Sequence, residues 1–496
     1  MRIHLEAQPL STIASEALVI CVFDKDNRIE GVVAELDRAM GGKLGVLAET
    51  GEISGKALEM VLIHFPAGLA AQRLLLVGGG KQEKFTEAEL RRVAGAALRF
   101  LKSRGVRKFV FLAREGERGP GAAQSVVEGL LVADFESDKY RTEKKSQREI
   151  EGVGLWGWDP AGRAEFDPAI ERGRVIAESQ NFARDLINEP SNRLTPRMLA
   201  ARTEAMAREA GLGVEILDER KIEELKMGAL LGVAQGSVEP PRVIVVRYRP
   251  ARQREGAPLL GLVGKAVTFD TGGISIKPSN GMEKMKYDMG GGATMLGVMR
   301  ALAYLKPAVE VVAVIPTTEN MPGGRAQKPG DVQVAMSGKS IEVINTDAEG
   351  RMILADGITY ARKLGCTHLV DAATLTGAIE VALANVNVGA FGQPREYLDK
   401  LLESARTVGE KMWPMPLDDE YEEMIKSSIA DIRNTGTGKG GGAITAAWFL
   451  KEFALDMPWI HLDIAATTWL DEGRPWLAKG PTGVAVRTLI DFAMKF

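Results

Sequence analysis

Apolar and polar positions fall into two rhythms along this chain. In roughly the first 150 residues, short apolar runs at Ala17–Phe23, Arg73–Val77 and Lys108–Leu112 alternate with helical periodicity, as over Glu87–Lys102. Farther on, Pro168–Ile187 reads as one long connecting helix. Strand-like runs then recur near 242–248, 259–269, 309–315, 340–344, 368–371 and 459–464, separated by helical segments such as 293–305 and 352–363. Runs that are apolar throughout suit parallel strands buried on both faces. The pattern predicts an α/β protein: a small N-terminal α/β domain over 1–150, a linker and connecting helix over 151–187, and a larger C-terminal α/β/α domain over 188–496 with a mostly parallel central sheet. The boundary follows from the charge-rich stretch Asp138–Glu149 and from Trp156-Gly157-Trp158-Asp159-Pro160, which reads as irregular linker.

Composition narrows the class. The chain has 496 residues, 45% of them hydrophobic, enough for two or three cores. A net charge of -3 gives no electrostatic case for nucleic acid. Two cysteines, Cys21 and Cys366, make no disulfide framework and suit a reducing, cytoplasmic setting. No apolar run reaches membrane-spanning length, and Met1-Arg2-Ile3-His4-Leu5-Glu6 lacks a signal-peptide pattern.

The chemistry concentrates in two blocks. Asn345-Thr346-Asp347-Ala348-Glu349-Gly350-Arg351 follows an apolar run and places two carboxylates two residues apart. In extended or turn backbone such residues face the same side, and converging carboxylates at a strand end suit a divalent cation. The same residues also fit a helix capping box, with Thr346 as cap and Glu349 reaching back. Upstream, Val263-Gly264-Lys265-Ala266-Val267-Thr268-Phe269-Asp270-Thr271-Gly272-Gly273-Ile274-Ser275-Ile276-Lys277-Pro278 ends an apolar run with Asp270 before a glycine turn. Asp288 then precedes Gly290-Gly291-Gly292 and a helix. Carboxyl ends of strands are where open α/β sheets bind ligands. Oxygen-rich sets suit Mg²⁺ and Mn²⁺, and Zn²⁺ also accepts carboxylates. The four histidines form no H-E-x-x-H, which excludes a zincin site; His461, in a strand-like run, reads as a core residue or as one that supports the site's ligands from behind.

These blocks resemble the two signatures of the M17 leucyl aminopeptidases, the cytosol aminopeptidase family. Further matching stretches are Asn188–Asn192, Glu319–Pro322, Asp371–Gly377, Gly440–Ala446 and His461–Ala465, so the resemblance covers about residues 170–490. It implies a macro-like N-terminal α/β domain, a homohexamer, and two divalent ions per subunit. By resemblance Lys265, Asp270, Asp288 and Glu349 hold the tighter ion, and Asp270, Asp347 and Glu349 hold the other. Lys277 and Arg351 match the catalytic side chains. Met285, Thr374, Leu375, Gly377 and Ala466 match the substrate-binding positions, although Ala466 stands where most relatives are expected to carry glycine.

The implied activity is release of N-terminal leucine and other apolar residues from peptides with a free amine, by a hydroxide shared between two metals. Lys277 would stabilise the oxyanion. Arg351 has no basic form, so its expected task is to hold a small anion such as bicarbonate as the proton acceptor. Three rivals share some features. Asp270-Thr271-Gly272 is the aspartic-protease triplet, but that class is β-rich and needs a paired aspartate. A DNA-binding regulator lacks the charge, and a hydrolase of another ester or amide differs only in substrate.

Overall fold

The computed structural model describes residues 1–24, 29–143, 149–252 and 256–496. The chain forms two compact units. One comprises Met1–Glu178 with Asp471–Lys479, and the other Ser179–Leu470 with Gly480–Phe496. The division falls within the helix Arg163–Asn188, which carries Pro168 in its second turn.

Among the described residues the first unit is built on six strands: β1 (Arg2–Glu6), β2 (Leu18–Phe23), β3 (Met60–His64), β4 (Arg73–Gly80), β5 (Lys108–Leu112) and β6 (Gly152–Trp156). Their order is β1-β6-β5-β2-β4-β3, parallel throughout except for β3 against β4. Strand β2 shows why both faces are covered. Val19, Cys21 and Phe23 join a core with the helices Glu87–Ser103 and Pro120–Asp134, while Leu18, Ile20 and Val22 join one with Gly31–Ala39 and Lys43–Glu49.

The expected linker is corrected here. Gly152–Trp156 is strand β6, inserted between β1 and β5, and Trp158 is fully buried. Two glycines in five residues weaken the strand signal, and pairing on both sides overrides it. Residues 144–148 of the charge-rich stretch lie outside the described residues. The Asp471–Lys479 segment completes this unit: Trp476 packs at Gly95, and the Arg92 guanidinium stands 5.4 Å from its ring centroid.

The second unit continues with β7 (Gly213–Leu217), β8 (Arg242–Tyr248), β9 (Leu259–Gly264), β10 (Ala266–Asp270), β11 (Glu310–Asn320), β12 (Val332–Val334), β13 (Ser340–Glu342), β14 (His368–Ala373), β15 (Val388–Gln393), β16 (Met412–Pro414), β17 (Ile432–Arg433) and β18 (Trp459–Asp463). Nine of them form one sheet in the order β16-β15-β18-β14-β9-β11-β8-β7, with β10 also on β11. It is mostly parallel; the antiparallel pairs are β7 with β8, β8 with β11, and β15 with β18. One face packs on the helices Gly228–Ala234, Glu349–Lys363 and Gly442–Ala454. The other carries Gly290–Leu305, where Gly292 sits tightly on Ile315.

Two further expectations change. The apolar run 259–269 is two strands broken at Lys265. The run near 340–344 contributes only β13, which joins β12 and β17 in a separate small sheet.

Candidate metal centre and active site

The break at Lys265 creates the site. Along β11, the pairing with β9 ends at Val314↔Val263 and resumes with β10 at Thr317↔Ala266. Lys265 leaves this ladder: its N–H donates to Ala372 O at 3.1 Å, and its carbonyl accepts from Gly292 N at 2.7 Å. An irregularity of this kind re-aims a side chain. The Lys265 ammonium is 2.8 Å from Asp288 Oδ1 and 2.8 Å from Glu349 Oε1, and donates to Thr374 O at 2.8 Å. Gly350 makes room for it, since a Cβ there would lie 2.7 Å from Lys265 Cε and Nζ.

Asp270 ends β10 beside Asn320, the last residue of β11. Gly272, at φ 87°, turns the chain so that its N–H donates to Asp270 Oδ1 at 2.8 Å. The loop then brings the Lys277 ammonium to 2.8 Å from Asp270 Oδ2 and onto Asp347 Oδ1. One oxygen from each of Asp270, Asp347 and Glu349 lies within 4.8 Å of the others.

The capping-box reading fails. The helix begins at Glu349 after Ala348, with no side-chain cap. Thr346 Oγ1 instead donates to Gly272 O at 2.6 Å and accepts from Ser275 N at 2.8 Å. A contact 74 residues away replaces the local one, and it locks the two blocks together.

Electrostatics fit a cation. Burial and neighbouring carboxylates raise the pKa values of Asp288 and Glu349 above the ordinary carboxylate range, against the opposing pull of Lys265. Burial and Asp270 do the same to Asp347. Burial pulls the Lys265 and Lys277 ammoniums down, but the surrounding carboxylates outweigh it and both end above the usual lysine value. Asp270, Asp288, Asp347 and Glu349 thus meet two ammonium groups, leaving an excess of negative charge in a largely dry site. Asp288 Oδ2 is buried with no hydrogen-bond partner. An oxygen-donor set with unanswered charge suits hard divalent ions.

Arg351 lies two residues past Glu349 in the same helix and is buried. Its Nη1 donates to Asn434 O at 2.7 Å, and burial lowers its pKa to about 10. Thr374 binds the centre directly, donating to Asp288 Oδ1 at 2.7 Å. Leu375 follows it, and Gly377 opens the helix Gly377–Leu383. Met285 is half-buried, three residues before Asp288 in the 3-10 segment Met282–Met289. Ala466 is buried in the turn after β18.

Sequence reading passed over the residues that hold these pieces. Asp463 accepts from Leu375 N at 3.2 Å, Ala465 N at 3.2 Å and Thr376 Oγ1 at 2.6 Å, tying the Thr374–Gly377 loop to the Ala466 turn. Asn434 accepts from Ile344 N at 2.8 Å and donates to Asn345 O at 2.7 Å, clamping the start of the charged turn. His461 is a core residue as expected, its Nδ1 2.6 Å from Asp371 Oδ1. For His461 and Asp463 a buried polar residue within an apolar run is the available signal; Asn434, between Arg433 and Thr435, has none.

An α/β sheet with a buried carboxylate cluster at its strand ends defines a metal-dependent hydrolase. The chain belongs to the cytosol aminopeptidase family: the catalytic-domain model of that family matches residues 181–490, and its N-terminal-domain model matches 19–144. It is 55% identical to a probable cytosol aminopeptidase of Solibacter usitatus over 100% of this chain and 99% of the relative. It is 49% identical to another from Koribacter versatilis, covering 100% of both. Among solved structures it is similar to a mutant of tomato leucine aminopeptidase, with 34% identity, a TM-score of 0.90, and 100% and 97% of the two chains covered. It is also similar to the bottromycin maturation enzyme BotP in complex with Mn, with 31% identity, a TM-score of 0.85, and 97% and 99% covered. The chain is therefore a metal-dependent aminopeptidase acting on peptides. No described helix is long and apolar enough to cross a membrane.

Proposed function

We propose that this aminopeptidase removes leucine and other apolar residues from the free N-terminus of peptides, with two divalent ions per subunit. Asp270, Asp288, Asp347 and Glu349, with the Lys265 amine, would hold them. The observation that carries this reading is the convergence of Asp270, Asp347 and Glu349 to within 4.8 Å beside the Lys265–Asp288 pair. Mn²⁺ is favoured by the Mn complex of the BotP neighbour, and Zn²⁺ and Mg²⁺ suit the same oxygen donors. When bound, such ions supply Lewis acidity and a water nucleophile at neutral pH.

The chain's own residues do the rest. Lys277, a cation at the open side of the cluster, donates to the carbonyl oxygen as negative charge develops there. A lysine serving as ligand must lose its proton, so Lys265 would give one up on loading. Arg351, fixed by Asn434 O, orients a small anion such as bicarbonate to take the proton. Thr374, Leu375, Gly377, Met285 and Ala466 would form the wall that receives the substrate's first residue; the methyl of Ala466 narrows it relative to a glycine. A homohexamer working in the cytoplasm is the assembly and location the family resemblance implies.

The test is a panel of aminoacyl-anilides assayed after chelation and after adding back single metals. Leucyl substrate should lose turnover on chelation and regain it with Mn²⁺ or Zn²⁺, and N-acetyl-leucyl substrate should be cleaved far more slowly. Equal kcat/KM for blocked and free amines would refute exopeptidase action.

A further inference from the structure

Asn320 touches more of the centre's acceptors than its place in the sequence suggests. Its side chain is almost fully buried at the end of β11. Its Nδ2 donates to Asp270 Oδ1 at 2.8 Å, to Thr346 O at 3.1 Å and, more weakly, to Glu349 Oε2 at 3.4 Å. Asp270 is on the neighbouring strand, and Glu349 opens a helix reached through the Thr346 turn. One amide therefore bridges the two blocks of the site, the end of β10 and the Thr346–Glu349 turn.

The Asn320 backbone is fixed as well. Its carbonyl accepts from Thr271 N at 2.9 Å and from Thr271 Oγ1 at 2.8 Å. The side chain is equally confined, because a Cβ on Gly273 would fall 2.8 Å from Asn320 Oδ1. Asp270 Oδ1 already accepts from both Asn320 Nδ2 and Gly272 N, so Oδ2 is the oxygen left facing Lys277. A neutral donor between two buried carboxylates lowers their mutual repulsion without adding a charge that would compete with a cation.

We propose that Asn320 is a positioning residue, holding Asp270 and Glu349 at the spacing at which both face the same metal ions and selecting Oδ2 as the metal-facing oxygen of Asp270. This rests on the dinuclear reading above. Groups that orient metal ligands in this way are typically worth about 10–100-fold in metal affinity or activity.

The experiment measures Mn²⁺ binding to the metal-free full-length protein by calorimetry, with kcat and KM at saturating Mn²⁺, for wild type, Asn320→Ala, Asn320→Ser and Asn320→Leu. The expected result is a loss in Mn²⁺ affinity of about 10–100-fold for Asn320→Ala. Asn320→Ser, which keeps one donor, should recover part of it. At saturating Mn²⁺, kcat should fall while KM for leucyl-anilide stays near wild type. If Asn320→Ala does not fold, Asn320→Leu, which keeps the volume and removes the donor without adding a charge, carries the test, with reduced affinity expected. Wild-type Mn²⁺ affinity and kcat in a folded variant, even one with a lowered melting temperature, would overturn the proposal and leave Asn320 a fold residue. A wild-type protein that binds no divalent ion at all would instead remove the metal reading beneath it.

Discussion

The two sheets use glycine in the same way and receive different guests. At the carboxyl end of the first sheet, Gly78 and Gly79 lie against the Lys56 carbonyl and the side chains of Cys21 and Phe23. Main-chain bonds, Leu58 N to Gly78 O and Gly80 N to Gly55 O, close that end with backbone. At the second sheet, Gly350 admits the Lys265 ammonium, Gly272 lies against Asp347 Oδ1, and Gly273 admits the Asn320 amide. A missing Cβ permits close approach in both places. What approaches decides whether the result is a plugged sheet end or a reactive one. A glycine run is therefore uninformative until its neighbours are known.

The largest effect should come from the charged guests. Glu349→Gln or Asp347→Asn should lose bound metal and turnover together, read by elemental analysis and leucyl-anilide hydrolysis on the same preparation. Full activity with unchanged metal content would erase the distinction between the two sheet ends. Lys277→Ala should lower kcat by about 10²–10³, the usual effect of losing an oxyanion donor, while metal content and KM change little. A lost metal ion in that variant would move Lys277 from the transition state to the metal shell.

The glycines themselves provide the matched pair. Gly350→Ala drives a methyl into an ammonium already engaged by Asp288, Glu349 and Thr374 O. Metal affinity or kcat should fall by about 10–100-fold, the range for disturbed ligand orientation, with little change in melting temperature. Gly79→Ala would place its Cβ 2.7 Å from Cys21 Sγ. It should cost about 1–3 kcal/mol of stability by overpacking and leave kcat/KM alone. A kinetic defect in Gly79→Ala, or a purely thermal one in Gly350→Ala, would break the comparison.

The remaining effect depends on pH and concerns a buried acid that no lysine answers. Asp356 lies two turns beyond Glu349 in the same helix. It accepts from Leu230 N at 2.8 Å and Met336 N at 2.7 Å, and burial pushes its pKa up to about 7 despite those donors. Its folded value lies above the ordinary aspartate value of ~3.9. The extra stability is therefore complete below about pH 4 and is lost as pH rises through about 7. Melting curves should show wild type losing ground to Asp356→Asn across that window, by at most about 1.4 kcal/mol per pH unit. A pH-independent difference would show that Asp356 does not titrate there.

The legible and illegible parts divide along physical lines. Asp270, Asp347 and Glu349 stood out because each follows an apolar run within a contiguous motif, and the strand rhythm gave the α/β class. The break at Lys265 was hidden inside a run that is apolar on both sides. Thr346 looked like a helix cap because its real partner, Gly272, is distant in sequence. Asp463, Asn434 and Asn320 acquire meaning only from partners on other elements. Gly152–Trp156 falls inside the expected 151–187 linker because glycine and tryptophan give no strand pattern until β1 and β5 close around it.

The Asp471–Lys479 segment has a consequence for the order in which the protein is made. The first unit emerges first from the ribosome, yet the strip that brings Trp476 to Gly95 is translated only after the whole Ser179–Leu470 stretch. That unit waits, with the surface around Gly95 uncovered, until nearly all of the other has been synthesised. A cut between the two units at residue 178 would release a first half without this strip and a second half with a surplus one.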